Sequence, residues 1–459
     1  MKLFTNPQKW LVCGLLTCAC LTAAISQWTV EQMPNQHGQF SAVSLGGRVF
    51  FGPASSFSGF HSHVDVYNAE YGAWEQTLEV STPRCNAAGV ATEGRVYFAG
   101  GLSNSWLSPV MLDVVDIYDT LSGEWTTESL SEGRSELSAV HAGGKLLFAG
   151  GISNLTGDFV STPTIITTSS VVDIYDLATG EWSTANLSRP RVGMAAAVAG
   201  NIAVFAGGQT ASGTVTDTMD IYDAATGLWS VTTLSEAKGW CSAEILNGKA
   251  FIAGGVTGDF EVTDKVEILD LETMTWESAQ LSEARGGMRS AVMGERIFFA
   301  AGGKYDLTHY IWTSPFSATV DIYDAAAQEW TTDELQNGRI NHATAVARNQ
   351  FFVAGGAGSF DEVEIFTDPT FSAARERSED IGFSIFPNPA SGQLRLEVQN
   401  GNNHALTVQI FDLNGKLLKA VEMPNGNWLS MNVADMNVGI YIVKISGEQG
   451  TTTKKLVKQ

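Results

Sequence analysis

Cysteine is scarce and poorly placed to staple this chain. Five occur in 459 residues, and three of them (Cys13, Cys18 and Cys20) fall within the first twenty. Cys85 and Cys241 lie in repeat units three apart, a separation that disfavours a disulfide. Both are read as small buried apolar residues, so the fold must stand on packing alone. Positive charge is also short: Lys and Arg total 27 against 49 Asp and Glu, for a net charge of −22. Nucleic acid and anionic lipid both demand a basic footprint, which argues against either as a partner. Apolar runs are short too. The longest, at 10–24, falls below the roughly 20 residues of a comfortable membrane-spanning helix. The chain carries no Gly-x-Ser-x-Gly elbow, no His-Glu-x-x-His, no phosphate loop and no dinucleotide fingerprint. No catalytic residue, metal or cofactor is therefore expected, and an enzyme is the less favoured class.

The short apolar run has a different reading. Lys2 and Lys9 precede it, and Ala24-Ile25-Ser26 offers small residues for cleavage before Gln27. Residues 1–26 are expected to be a signal peptide, which leaves no transmembrane span after its removal.

Against these absences stands one spacing. A tryptophan is followed nine or ten residues later by a basic residue, seven times: Trp28/His37, Trp74/Arg84, Trp125/Arg134, Trp182/Arg191, Trp229/Lys238, Trp276/Arg285 and Trp330/Arg339. Sixteen residues beyond the basic position, five of the seven reach a Gly-Gly pair, the first being Gly100-Gly101. A sixth reaches its pair one residue late, at Gly302, and the first unit has Pro53 instead. Such a period marks an array of supersecondary units. Each unit reads as four short strands, rich in β-branched and aromatic residues and bounded by Gly, Asn, Ser and Asp. A four-stranded sheet cannot bury both faces alone; packing such sheets radially solves this and leaves only short edges.

The glycine pair after an aliphatic strand, together with a tyrosine seven residues before each tryptophan (Tyr67/Trp74, Tyr118/Trp125, Tyr175/Trp182, Tyr222/Trp229, Tyr323/Trp330), resembles the kelch repeat. The fifth unit departs from it with Leu269 in the tyrosine position. The resemblance implies a β-propeller. The last unit has three strands and no tryptophan, while Trp28 precedes the first complete unit. The N-terminal strand is therefore expected to complete a seventh blade, and residues 27–367 to form a seven-bladed kelch propeller.

Residues 368–382, including the charged stretch 373–380, read as a linker. From 383 to 459 the pattern changes to alternation, as in Leu394, Leu396 and Val398 or Leu406, Val408 and Ile410. Asn-Gly turns at 400–401, 414–415 and 425–426 complete the picture of a small antiparallel β-sandwich. Pro387-Asn388-Pro389-Ala390-Ser391-Gly392, Phe411-Asp412-Leu413-Asn414-Gly415-Lys416, 438–445 and the terminal Lys454-Lys455-Leu456-Val457-Lys458-Gln459 resemble the C-terminal sorting domain of the type IX secretion system of Bacteroidetes. This resemblance implies the secretion machinery as a partner. The product is then secreted or attached to the outer cell surface.

The expected function is a binding or adhesion module that recognises an extracellular glycan or protein. In an up-and-down sheet, the links between blades and the links from strand two to strand three share one face. That face carries the basic positions Arg84, Arg134, Arg191, Lys238, Arg285 and Arg339. Their recurrence also fits structural contacts between blades. The loop aromatics Trp106, Trp240, Tyr305, Tyr310 and Trp312, with His309, can stack on sugars or anchor a protein. His61 and His63 are read as a solvated loop, and the repeated Asp-Ile-Tyr-Asp as a turn former. The resemblance leaves two alternatives: a carbohydrate-active enzyme, mutarotase- or oxidase-like, at the propeller mouth, and a structural surface protein.

Overall fold

Strand three of the repeat alternates apolar residues with an acid and in six blades ends on Asp or Asn, and strand four carries the tryptophan as its first or second residue. In the computed structural model these two strands pair so that tyrosine and tryptophan stand directly opposite, as Tyr118 does to Trp125. The five Tyr–Trp pairs have ring centroids 4.8–5.2 Å apart. A contact of this kind contributes about 0.5–1.5 kcal/mol beyond area burial. The terminal Asp then accepts the N–H groups that open the turn: Asp119 takes Leu121 and Ser122, and Asp176 takes Ala178 and Thr179. The turn role expected of this residue is what it performs.

The structure describes residues 28–56, 59–105, 108–156, 164–259, 261–306, 311–368, 383–398, 406–411, 417–423, 428–447 and 450–459. The expected signal peptide, the stretch 373–380, the three Asn-Gly turns of the tail, and Trp106, His309 and Tyr310 lie outside them.

Among the described residues, 28–368 form seven four-stranded antiparallel sheets, consistent with the expected seven blades. Blade two is typical, with Ala88–Thr92, Arg95–Ala99, Val114–Asp119 and Glu124–Ser129 in spatial order. The innermost strands are Ala42–Leu45, Ala88–Thr92, Ser138–Ala142, Ala195–Ala199, Ser242–Leu246, Arg289–Met293 and Ala343–Ala347. They neighbour one another in a closed cycle around a central channel. Their residues are small because seven strands converge there. A Cβ on Gly89 would lie 2.8 Å from a Val43 methyl and 2.9 Å from Ser41 Cβ in the preceding blade. Second strands are almost wholly buried and fill the space between blades, as Phe148, Phe205 and Phe352 do.

The last blade is built from both ends of the repeat region. Trp28–Gln32 pairs antiparallel with Glu362–Thr367, Trp28 opposite Phe366. The Trp28 ring packs 5.4 Å from Phe366 and 6.1 Å from Phe351, and its Nε1–H donates to Asp333 of blade six.

In the C-terminal region, Phe383–Phe386, Gln393–Val398 and Trp428–Asn432 form a three-stranded sheet. Leu417–Met423, Leu406–Phe411, Gly439–Gly447 and Gly450–Lys458 form a four-stranded one. Both sheets contribute to one apolar core, including Leu396, Val408, Ile410, Met431, Val443 and Leu456. This is consistent with the expected sandwich. Cys85 and Cys241 are buried free thiols. Among the described residues no helix is long and apolar enough to cross a membrane.

Candidate functional site

The structure puts the basic positions inside the blades. Arg84, Arg134, Arg191, Lys238, Arg285 and Arg339 are 0–1% exposed. Each pairs with the acid in the middle of strand three of its own blade. The pairs are Arg84–Asp116 (2.6 Å), Arg191–Asp220 (2.5 Å), Arg285–Asp321 (2.7 Å) and Lys238–Glu267 (3.1 Å), with Arg134–Asp173 and Arg339–Glu364 also in contact. His37 meets Asp65 in the same way at 2.8 Å. The cations also donate to carbonyls at the end of strand two, as Arg84 does to Phe98 O and Arg191 to Phe205 O, both at 3.1 Å.

The carboxylate has a second task. It accepts the backbone N–H of the link arriving from the previous blade: Ser81 on Asp116, Ser131 on Asp173, Ser188 on Asp220 and Ser235 on Glu267. The basic side chain thus acts within its blade, and its partner acid holds the blade-to-blade link. Burial lowers the pKa of Arg84, Arg134, Arg191 and Arg339 from the ordinary arginine value, and the paired acid opposes that shift. A guanidinium enclosed and paired in this way presents no donor at the surface. The sequence held a signal for these partners, since the first Asp of Asp-Ile-Tyr-Asp recurs in register with the basic residue.

Two residues further along lies a ring that sequence reasoning did not single out. Gln39, Asn86, Glu136, Gly193, Trp240, Gly287 and Asn341 all adopt left-handed backbone, with φ between 48° and 65°. Five of them are side-chain-bearing residues other than glycine, and for a bulky residue such as Trp240 (φ 48°) this conformation is unusual. Backbone hydrogen bonds pass from blade to blade through these positions. Asn86 N–H donates to Gln39 O (2.8 Å), Glu136 to Asn86 (3.1 Å), Trp240 to Gly193 (2.7 Å) and Gly287 to Trp240 (2.9 Å). Each ring residue is partly exposed and precedes an innermost strand, so the ring frames the channel mouth.

The two glycines clear space for aromatic rings. A Cβ on Gly193 would come within 2.9 Å of Trp240 Nε1, and one on Gly287 within 3.1 Å of Trp312. Trp240 stacks on Tyr305 (centroids 6.1 Å, planes 19° apart), and Trp312 meets Tyr305 edge-on at 5.1 Å. Three of the expected loop aromatics are therefore contiguous on blades five and six. His61 and His63 stack on each other in blade one, 5.5 Å apart, and Ser56 bonds His61.

Behind the mouth, the same two blades carry polar groups. Ser290 Oγ donates to Glu244 (2.9 Å) and lies 2.7 Å from Ser242 Oγ. Burial pushes the Glu244 carboxyl up to about 7, against the opposing effect of the Ser290 hydrogen bond. Burial likewise raises Glu136, while Arg289 acts in the other direction. Arg289 is reached by solvent, yet desolvation by surrounding protein lowers its pKa from the ordinary arginine value, with Glu136 opposing. An accessible but enclosed cation is what a channel wall produces.

Comparison with known proteins bears on both parts of the chain. Residues 136–356 match the family described as KLHDC2/KLHL20/DRC7 Kelch-repeats domain, and residues 384–459 match the Secretion system C-terminal sorting domain. Alpha-scruin of Limulus polyphemus is 31% identical over 126 residues, which is 26% of this chain and 13% of that protein. Kelch-like protein 21 of Danio rerio is 26% identical over 110 residues, 23% of this chain and 17% of that protein. The chain thus spans less than a fifth of the length of these two relatives. The solved structure described as "Structure of YjhT" aligns with 66% of this chain and 99% of its own, at 14% identity and a TM-score of 0.49.

Proposed function

Because this chain is a kelch-repeat propeller protein with a type IX sorting domain at its C-terminus, secreted or held at the cell surface, we propose that it is an extracellular recognition module. It binds a glycan at the mouth of its channel, on the face that carries the long loops. Residues 27–367 form the propeller in this reading, 368–382 the linker and 383–459 the domain that engages the secretion machinery. The observation that carries the proposal is the aromatic cluster of Trp240, Tyr305 and Trp312 beside a ring of amide and carboxyl side chains. Sugar rings present an apolar face and a hydroxylated rim, and such a site offers an aromatic surface for the first and hydrogen-bonding groups for the second. The buried arginines have no part in contact; they hold the frame on which Trp240 sits.

The test is a glycan array probed with the full chain. Wild type binds a restricted set of saccharides, and Trp240→Ala together with Trp312→Ala weakens that binding at least about tenfold, as the loss of two stacking anchors requires. Full retention by the double variant rejects this face. A protein ligand in place of a glycan is the outcome if no saccharide is bound and an extracellular protein is bound in a Trp240-dependent way.

A second reading draws on Glu244. A carboxyl held near 7 beside Ser290 has the protonation behaviour of a general acid or base, which favours a carbohydrate-active enzyme if a bound sugar is turned over.

A further inference from the structure

In a repeated fold, each blade is a control for the others. What recurs is explained by folding, and what departs from the repeat calls for another cause. Four residues beyond the basic position, six blades carry alanine or serine, and blade six carries Arg289. Six residues beyond it, six blades carry valine or alanine, and blade five carries Glu244. Alanine at the first of these positions satisfies the fold in blades two, four and seven, as Ala88, Ala195 and Ala343 show. Arg289 is therefore not needed to build the blade.

Its surroundings also set it apart from the structural arginines. Among the described residues its hydrogen bond is to the neighbouring Met288 O at 3.5 Å. Glu136 attracts it without forming an ion pair and is itself bonded by Asn86 Nδ2–H at 3.3 Å. Arg289 follows Gly286 and Gly287, where a Cβ would come within 3.0 and 3.1 Å of the Trp312 ring, and at Gly287 within 2.4 Å of Ile340 Cδ1. The next residue, Ser290, turns to Ser242 and Glu244 of blade five, while the Arg289 charge is felt on its other side by His342 of blade seven. The departures in the inner strands and the aromatics in the loops are separate features of the sequence, and both fall on blades five and six.

We propose that blades five and six form a subsite for an acidic sugar residue, with the Arg289 guanidinium taking the carboxylate while Trp240 and Trp312 cover the ring. This rests on the glycan reading above and names the class of sugar within it. Arginine suits the task because its planar fork matches a carboxylate with two parallel hydrogen bonds. A neutral sugar is already served by the amides of Gln39, Asn86 and Asn341 and by the serine hydroxyls. A cation enclosed in a channel is costly to hold, and an anionic ligand offsets that cost. The rest of the molecule works against an anion, since the chain carries −22 net charge. The attraction must therefore be local, and at the mouth on this side Arg289 supplies it.

The experiment is binding of the full chain to an array of uronic-acid saccharides printed beside their methyl esters. Esterification removes the negative charge and keeps the sugar. Wild type binds the acids at least about tenfold more tightly than the esters, the scale of a charge-assisted pair. Arg289→Ala lowers binding of the acids to the level of the esters. Its melting temperature stays at the wild-type value, because alanine is what three other blades use there. Arg289→Lys keeps a preference for the acids but a weaker one. Equal binding of acids and esters, or an undiminished acid preference in Arg289→Ala, overturns the proposal. If saccharides are bound through Trp240 with no acid preference, the glycan reading stands and this inference fails. If no saccharide is bound, both fail.

Discussion

At the residue scale, the repeated ion pair organises the propeller. Each pair is buried, so its net worth to stability is modest, because desolvation cancels much of the attraction. Breaking one is another matter, since the surviving charge has no partner. Arg191→Met is expected to destabilise the propeller by about 3–5 kcal/mol, measured by chemical denaturation. Adding Asp220→Leu is expected to recover part of that loss. Recovery stays incomplete because Asp220 also accepts the Ser188 N–H at 3.0 Å, which the double variant leaves unpaired. Equal stability of wild type and Arg191→Met would show that the pair is not a clamp. The basic half of each pair was legible as a recurring spacing. The acidic half was visible as a repeated aspartate, but its task was not, because turn formation explains one aspartate of Asp-Ile-Tyr-Asp and says nothing of the other.

At the scale of elements, four strands per repeat follow from local pattern: two-residue alternation, tight turns, and a tyrosine facing a tryptophan. Completion of the last blade by the first strand follows from the same pattern, since Trp28 stands to Phe366 as Trp125 stands to Tyr118. Deletion of residues 27–34 uncovers Phe351 and Phe366 and removes five paired residues from the last sheet. The melting temperature is expected to fall by more than about 5 °C, read by thermal unfolding followed with circular dichroism. An unchanged melting curve would mean that the strand adds nothing to closure. The loop elements were less legible. Trp240, Tyr305 and Trp312 could be assigned to a face from topology, but not to one another. Glycines at 193, 286 and 287 leave the room beside the rings. At the level of sequence those glycines look like ordinary turn residues.

At the scale of the whole molecule, the chain joins a kelch-repeat propeller region to a C-terminal sorting domain. Truncation before Ser384 removes the whole segment that matches the sorting domain. The truncated chain is expected to accumulate in the periplasm, assayed by cell fractionation, with the propeller still folded. Its appearance outside the cell would contradict the assigned role of the tail.

The sequence by itself determined the repeat, the strands within it, the order of the two regions and the export signature of the tail. These rest on local spacing, and a short strand with its turn responds to its own residues. Only the tertiary structure decided which charged groups are enclosed in the frame and which are open to solvent. Arg191 and Arg289 are the same residue type on the same face. One is enclosed by its own blade and paired with Asp220, while the other stands in the channel wall beside an aromatic cluster. That difference arises only when the strands assemble, because burial and ion pairing depend on neighbours remote along the chain, as Asp220 is 29 residues from Arg191.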